Sequence, residues 1–456
     1  MRTNIRKCGG KDNFMSGKIR RKAMEGVHGV ARAVKWALIA TVCGIVCGLA
    51  GGLFVKGLQF VTGLRLRHPA FMLLLPIGGV LIFWYYHLLG DDQQKGTNIV
   101  ITSIQSGEKI PSRLAPSVFV ATIFSHLCGA SVGREGAALQ LGGSIGHIFS
   151  RAFRMYPKNG HIMVMSGMSG AFSAVFGTPV TAVFFSMEVT NVGLMNYAAL
   201  LPCVIASFAG REAAKRWLGI EGAAYSLTGI PAAQLPHVMK IGLLAVCCGL
   251  ISVLFCIVLR QTARLWRRIL PNRYIRALVL GSILLLLTYL TGGRYNGTGA
   301  EAIKEVIELN ASGAAQASKV LGAGASGANV LIPVFWYTWL MKILFTALSL
   351  AAGYKGGEIV PTFFIGATFG YFFGTLTGFA PSLCAAVGLG AMFCGVTNAP
   401  VTSIFLCIEL FGAQGLVYYV IAIAVAYLAS SYYGLYPAQK IVFSKYASGF
   451  INKGAD

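Results

Sequence analysis

Charge is what this chain has least of. Of 456 residues, 38 are Lys or Arg and only 15 are Asp or Glu, so 12% are charged, about half the ~25% of a soluble domain. Neither sign occurs at all in 36–55, 68–90, 114–133, 159–187, 189–210, 241–259, 320–341, 359–408 or 410–439. A water-soluble fold is excluded by such runs, and so is the alternating pattern of a membrane β-barrel. The eleven cysteines form no Cys-x-x-Cys set and no Cys/His spacing suited to zinc. They read as small buried hydrophobes, and neither a metal nor a cofactor is expected. No nucleophile or metal ligand stands at a spacing that would make a catalytic site with the few carboxylates, so an enzyme is not expected. No C-terminal regulatory domain is expected after the last charge-free run.

What is present is apolar. Hydrophobic residues make up 55% and Gly numbers 57, with a mean hydropathy of +0.67. Roughly 20 apolar residues cross a bilayer as a helix, so the charge-free stretches allow on the order of ten helices. The net charge of +23 fits topology better than nucleic-acid binding. Residues 1–35 hold ten basic residues, and further clusters stand at Arg65 and Arg67, at Arg151, Arg154 and Lys158, at Arg211, Lys215 and Arg216, and from Arg260 to Arg276. The positive-inside rule reads these mostly as cytoplasmic ends. The first apolar run is long and many spans follow it, which argues against a cleaved signal peptide. The expected protein is a multi-pass integral membrane protein of a bacterial inner or plasma membrane, all-α in fold class.

The chain is written twice. Gly167 to Val189 reads GMSGAFSAVFGTPVTAVFFSMEV and Gly388 to Leu410 reads GLGAMFCGVTNAPVTSIFLCIEL. At a constant offset of 221 they share 8 of 23 positions, including Pro179/Pro400, Val180/Val401, Thr181/Thr402 and Glu188/Glu409. Gly96-Thr97-Asn98 pairs with Gly297-Thr298-Gly299. Gly133-Arg134-Glu135-Gly136-Ala137 pairs with Gly357-Glu358-Ile359-Val360-Pro361, followed by Gly142/Gly366 and Gly146/Gly370. The expected organisation is a basic tail over 1–33, cytoplasmic, then membrane repeats over 34–235 and 236–456. The Ala-, Gly- and Ser-rich segment 311–328 reads as a loop.

Duplicated halves with Gly- and Pro-interrupted segments mark secondary transporters whose broken helices end near the membrane midplane. A helix N-terminus offers unpaired N–H groups and roughly half a positive charge. Several aimed at one point bind an anion without a basic side chain. Glu135, between two glycines at such a start, has two readings on spacing alone. A carboxylate there can take the anion's place when charged and leave it when protonated, which couples anion to proton. Equally, it can be a first-turn Glu that stabilises its own helix dipole. Arg134 reads as satisfying carbonyls or setting the turn.

Ser131-Val132-Gly133-Arg134-Glu135-Gly136 resembles the Gly-Arg-Glu-Gly-Pro motif of the CLC family of chloride channels and anion/proton antiporters. Gly167–Glu188, Gly357–Pro361 and Gly388–Glu409 continue the resemblance in the family's order. It implies a CLC-type fold of two inverted repeats with broken, tilted helices, a homodimer with one pore per subunit, and Glu135 as the external gating glutamate. Gly-Gly-Glu at Gly356-Gly357-Glu358, KIPSRLAP (Lys109 to Pro116) and SHLCGASVGREG (Ser125 to Gly136) look like the fluoride-exporting branch. The implied gating and proton-coupling residues are Glu135 and Glu358. The implied anion contacts are Gly96, Thr97 and Asn98; Gly133, Arg134 and Gly136; Gly357, Ile359 and Val360; and Tyr436, with Phe363 and Phe364 beside the ion.

Several positions depart from the family. Gly96-Thr97-Asn98-Ile99-Val100 lacks the Ser-Gly-Ile-Pro string, leaving Thr97 to the serine's role. Val189 stands at the internal proton-transfer site, and a Val cannot relay a proton. Glu358 can substitute from the opposite repeat, or simply cap its helix. Val360 removes a hydroxyl that the fluoride branch often has. Tyr432 and Tyr433 compete with Tyr436 for the inner closure, and Phe363 and Phe364 can equally be core. Glu188 and Glu409, placed equivalently in the two repeats, read as satisfying backbone. Lys342, inside an apolar run, must snorkel, pair with a carboxylate or face water. The expected function is proton-coupled halide antiport, foremost fluoride/proton exchange. The alternative is a voltage-gated-type chloride channel or chloride/proton antiporter of the same family. Its partners are fluoride or chloride, protons and the bilayer, and no nucleic acid.

Overall fold

The computed structural model describes residues 9–91, 96–155, 159–227, 229–308 and 334–455, with 9–32 by backbone alone. The segment 311–328 lies outside these residues, as do Arg2, Arg6, Lys7 and Lys158. Sixteen α-helices follow one another among the described residues. In the first half they are α1 (Gly9–Arg67), α2 (Leu75–Leu88), α3 (Asn98–Ser106), α4 (Leu114–Cys128), α5 (Glu135–Ala152), α6 (Gly160–Phe176), α7 (Pro179–Glu188) and α8 (Leu200–Leu218). The second half has α9 (Leu235–Ile269), α10 (Arg273–Thr291), α11 (Ala300–Glu308), α12 (Thr338–Ala351), α13 (Ile359–Thr377), α14 (Pro381–Thr397), α15 (Pro400–Phe411) and α16 (Leu416–Ala429).

Five described helical stretches are long and apolar enough to cross a membrane: Ala33–Arg67, Pro69–Leu88, Leu235–Ile269, Arg273–Thr291 and Ile359–Thr377. Most of the other apolar helices are shorter, as in the 10 residues of α7 and the 12 of α15. At ~1.5 Å per residue these cannot cross a ~30 Å core. A helix that ends within such a core needs partners from the protein for its unpaired end groups.

The repeats pack alike. Gly142 of α5 lies against the Gly167 carbonyl of α6, and Gly366 of α13 lies against the Gly388 carbonyl of α14. Any Cβ at these aligned glycines would meet backbone, so small residues are what let each helix pair close. The duplicated prolines open α7 and α15, which meet through Phe184 and Phe405, stacked at 4.6 Å and 2°. Glu188, ending α7, accepts N–H bonds from Val401 (3.2 Å) and Thr402 (2.9 Å) and the Thr402 hydroxyl (2.6 Å) at the start of α15. Glu409, near the end of α15, returns the arrangement to Val180 (2.9 Å), Thr181 (2.8 Å) and the Thr181 hydroxyl (2.6 Å). These carboxylates satisfy backbone across the pseudo-two-fold, as their symmetry in sequence suggests.

Since α1 is one uninterrupted helix from Gly9 to Arg67, its basic first half and the Arg65/Arg67 pair cannot share a membrane face. Arg65 is buried instead, its Nη1 donating to the His126 carbonyl at 2.9 Å. Helix α2 returns, and its last turn meets the start of α10, where Arg273 Nη2 lies 3.4 Å from His87 Nδ1. The all-α framework carries one small sheet. Strand β1 (Asn191–Val192) pairs parallel with β2 (Lys440–Phe443), which pairs antiparallel with β3 (Phe450–Gly454), tying the segment after α7 to the C-terminal tail. Nine of the ten described cysteines are buried.

Candidate anion site

Three helix starts meet where Gly133, Gly357 and Gly96 precede α5, α13 and α3. Gly133 and Gly357 exchange backbone hydrogen bonds of 2.6 and 3.0 Å, which holds the two repeats' motifs face to face. Cβ atoms on either would run into the Glu135 carboxylate. Only glycine allows this approach. Gly96, at φ +60°, turns the chain into α3 through a left-handed conformation that likewise favours glycine. Thr97 follows, its hydroxyl 3.5 Å from the Gly136 carbonyl.

Glu135 is fully buried. Its Oε2 accepts the Arg134 N–H at 2.7 Å, and its Oε1 accepts the Val360 N–H at 2.9 Å. So it stabilises not only its own helix, as the first-turn reading had it, but reaches across to α13 and takes donors that an outside anion would need. Charge-assisted bonds to backbone N–H groups are strong, and these come from two helix starts of like partial charge.

Glu358 is the residue preceding α13 but makes no side-chain cap bond. It lines a cavity of about 240 Å³ together with Gly96, Thr97, Asn98, Gln140, Lys355 and Tyr436. Tyr436 is buried with its Oη unpartnered among the described residues. Its segment is fixed to α3 where the Ala438 N–H donates to Asn98 Oδ1 at 3.1 Å. Tyr432, by contrast, is engaged with Ser444 (2.9 Å), and neither it nor Tyr433 lines the cavity. An unpaired phenol aimed into a polar space is an anion donor in waiting.

Other expected residues lie apart. Arg134 places its guanidinium 5.3 Å from the Phe176 ring centre. Phe363 sets its ring edge-on to Phe176 and Phe393, at 6.4 and 5.5 Å. Phe364 lies beneath the Lys342 ammonium at 5.2 Å. None of the three lines the cavity. Ile359 and Val360 are buried and apolar, and Val360 contributes through its backbone N–H alone. Lys342 takes none of its three expected courses: its Nζ donates to the carbonyls of Tyr295 (3.0 Å) and Gly297 (2.7 Å). The second-repeat counterpart of the Gly96 turn is thus tied to a cation at Gly297.

Gln140, Lys355, Tyr86 and Asp91 line the cavity without having been singled out from sequence. Gln140 had a signal: it stands four residues after Gly136 on one helix face, and its Nε2 donates to the Gly136 carbonyl at 3.1 Å. Lys355 stands two residues before Gly357, in the motif itself. Val189 is buried, and its carbonyl accepts from Gln439 at 2.9 Å.

The family model described as "Voltage gated chloride channel" matches residues 78–431. A "Chloride/fluoride channel protein" of Pseudomonas syringae pv. tomato is 31% identical over 420 residues, covering 90% of this chain and 88% of its own. The H(+)/Cl(-) exchange transporter ClcA of Vibrio campbellii is 25% identical over 402 residues, 82% of this chain and 81% of its own. Among solved structures, a CLC-type fluoride/proton antiporter superposes with TM-score 0.81 at 32% identity, covering 89% of this chain and 98% of the other. With the family model matched over residues 78–431 and a relative 31% identical over 90% of the chain, this multi-pass membrane protein belongs to the voltage-gated chloride channel, or CLC, family.

Proposed function

We propose that the protein is a proton-coupled halide antiporter that expels fluoride in exchange for protons. One observation carries the reading: the buried carboxylate of Glu135 occupies the amide donors at the start of α13. When charged it excludes an anion from those donors; protonated, it loses its claim on them and swings away, so each anion passage is linked to a proton. Glu358 faces the adjoining cavity and gives protons a second carboxylate where Val189 offers none. Tyr436 and Thr97 complete the donor set. Fluoride is supported by the Gly-Gly-Glu motif and by the names of the relatives at 31% and 32% identity. Fluoride also enters cells as neutral HF and is trapped as the anion, so a proton-driven exit suits it. We further infer that no chemical step is catalysed, and that the working unit is a homodimer with one pore in each subunit.

The departure at Val189 favours one other reading, a passive chloride channel. Anion efflux from proteoliposomes, fluoride against chloride with external pH recorded, separates the two. Antiport gives fluoride-selective efflux accompanied by proton uptake. Equal fluxes of both halides with no pH change contradict it.

A further inference from the structure

Tyr436 stands on the irregular connection between α16, which ends at Ala429, and β2, which begins at Lys440. No helix or strand holds its backbone, so the buried polar groups of this segment need partners elsewhere. They find them on several elements. The Leu435 N–H donates to the Val396 carbonyl of α14 at 2.8 Å. The Ala438 carbonyl accepts from Gln105 Nε2 of α3 at 2.9 Å, opposite the bond its own N–H gives to Asn98. The Gln439 N–H closes the turn onto the Tyr436 carbonyl at 2.9 Å.

The side chain of Gln439 then anchors that turn. It is fully buried. Its Nε2 donates to the Val189 carbonyl at 2.9 Å and to the Thr397 carbonyl at 2.8 Å. Its Oε1 accepts Asn398 Nδ2 at 3.1 Å. Val189 follows the last residue of α7 and Thr397 is the last of α14, so both carbonyls are ones their helices leave unpaired. One amide thus ties the Tyr436 turn to a helix end from each repeat. Asn398 is itself fixed: its Nδ2 also donates to the Tyr433 carbonyl at 2.9 Å, and its Oδ1 accepts Lys445 Nζ at 2.6 Å. An amide with both donors and its oxygen engaged has a single orientation. The Tyr436 hydroxyl, three residues away, has no described partner.

We propose that Gln439 is the positioning residue for Tyr436, locking the turn so that the phenol holds one place in the cavity it shares with Thr97 and Glu358. The inference rests on the antiport reading and deepens it. A donor fixed in advance needs no ordering when the anion arrives, and that saving appears as affinity. Gln439 does not line the cavity, so it acts on the anion only through the Tyr436 hydroxyl. Without its three bonds the turn samples several arrangements and the phenol is less often in place. Glu135 and Glu358 make no hydrogen bond to this network among the described residues, so the proton side of the cycle is untouched.

The test is a double-mutant cycle on the full-length protein in proteoliposomes. Initial fluoride efflux is measured against internal fluoride, with proton uptake recorded, for the parent, Gln439→Met, Tyr436→Phe and the double variant. Gln439→Met keeps the side chain's length and loses all three bonds. It should raise the half-saturating fluoride concentration roughly three- to tenfold, with the maximal flux per folded protein and the proton-to-fluoride ratio unchanged. In the Tyr436→Phe background the same substitution should raise it no further. A rise of equal size in both backgrounds, a loss confined to maximal flux, or an unchanged half-saturating concentration would overturn the proposal. Should Gln439→Met not accumulate, Gln439→Leu and Gln439→Glu are held to the same criteria, and failure of all three to fold would show a purely structural glutamine and overturn it as well. Parental affinity in Tyr436→Phe alone removes the donor, and this proposal with it. A parent that moves no fluoride removes the antiport reading itself, and neither of these last two results depends on any change at Gln439.

Discussion

Among the described residues, two pairs of carboxylates at helix ends stand in contrast. Glu188 and Glu409 obey the repeat: each receives three hydrogen bonds from the partner half, with nearly matching lengths. Glu135 and Glu358 break it. The alignment puts Arg134 opposite Glu358 and Glu135 opposite Ile359, and the Gly133–Gly357 bridge brings these unlike residues together. Symmetric carboxylates cap helices that must stay where they are. The asymmetric pair sits where one helix start is left open to a cavity, and where a movable charge has consequences.

Mutations can break this contrast. The largest stability effect should come from the symmetric pair. Glu188→Ala or Glu409→Ala strands two buried N–H groups and a hydroxyl, and should cost about 3–5 kcal/mol, read as thermal melting in detergent. Glu135→Gln should cost under ~1 kcal/mol, because the neutral side chain leaves donors that an anion or water can take up. Equal losses at Glu188 and Glu135 would erase the distinction. Next come the paired glycines. Gly133→Ala and Gly357→Ala push a methyl group at the Glu135 carboxylate and should cost about 1–3 kcal/mol. Both should uncouple proton from anion flux, which is the sharper readout.

Lys342→Met strands the carbonyls of Tyr295 and Gly297 and should lower stability by about 1–3 kcal/mol without altering halide selectivity. A selectivity change would give the Gly297 turn a role in the anion pathway. Tyr436→Phe is expected to have the smallest effect on folding, within ~0.5 kcal/mol, because its hydroxyl has no described partner to lose. Anion affinity should nonetheless fall, measured as a higher half-saturating fluoride concentration.

What the sequence disclosed, it disclosed through repetition. The Pro-Val-Thr and Glu shared by 179–188 and 400–409 are local signals, and their meaning follows once the two copies face each other. The aligned glycines Gly142/Gly366 and Gly167/Gly388 likewise identify the close helix pairs. Other features depend on tertiary placement. Gly297-Thr298-Gly299 looks like Gly96-Thr97-Asn98 along the chain, yet Lys342, more than forty residues on, occupies the Gly297 carbonyl. Phe363 and Phe364 follow the motif closely, but helical spacing turns them toward Phe176, Phe393 and Lys342 rather than the cavity. Charge-free runs gave the membrane away but not the number of full spans, because a buried half-helix is as apolar as a complete one.

The most direct test of the account measures fluoride and proton fluxes together in proteoliposomes containing the parent protein or Glu135→Gln. The parent should drive protons opposite to fluoride at a fixed ratio. Glu135→Gln should move no protons through the protein while remaining folded. Sustained proton-coupled fluoride transport by Glu135→Gln would contradict the claim that this carboxylate links the two ions.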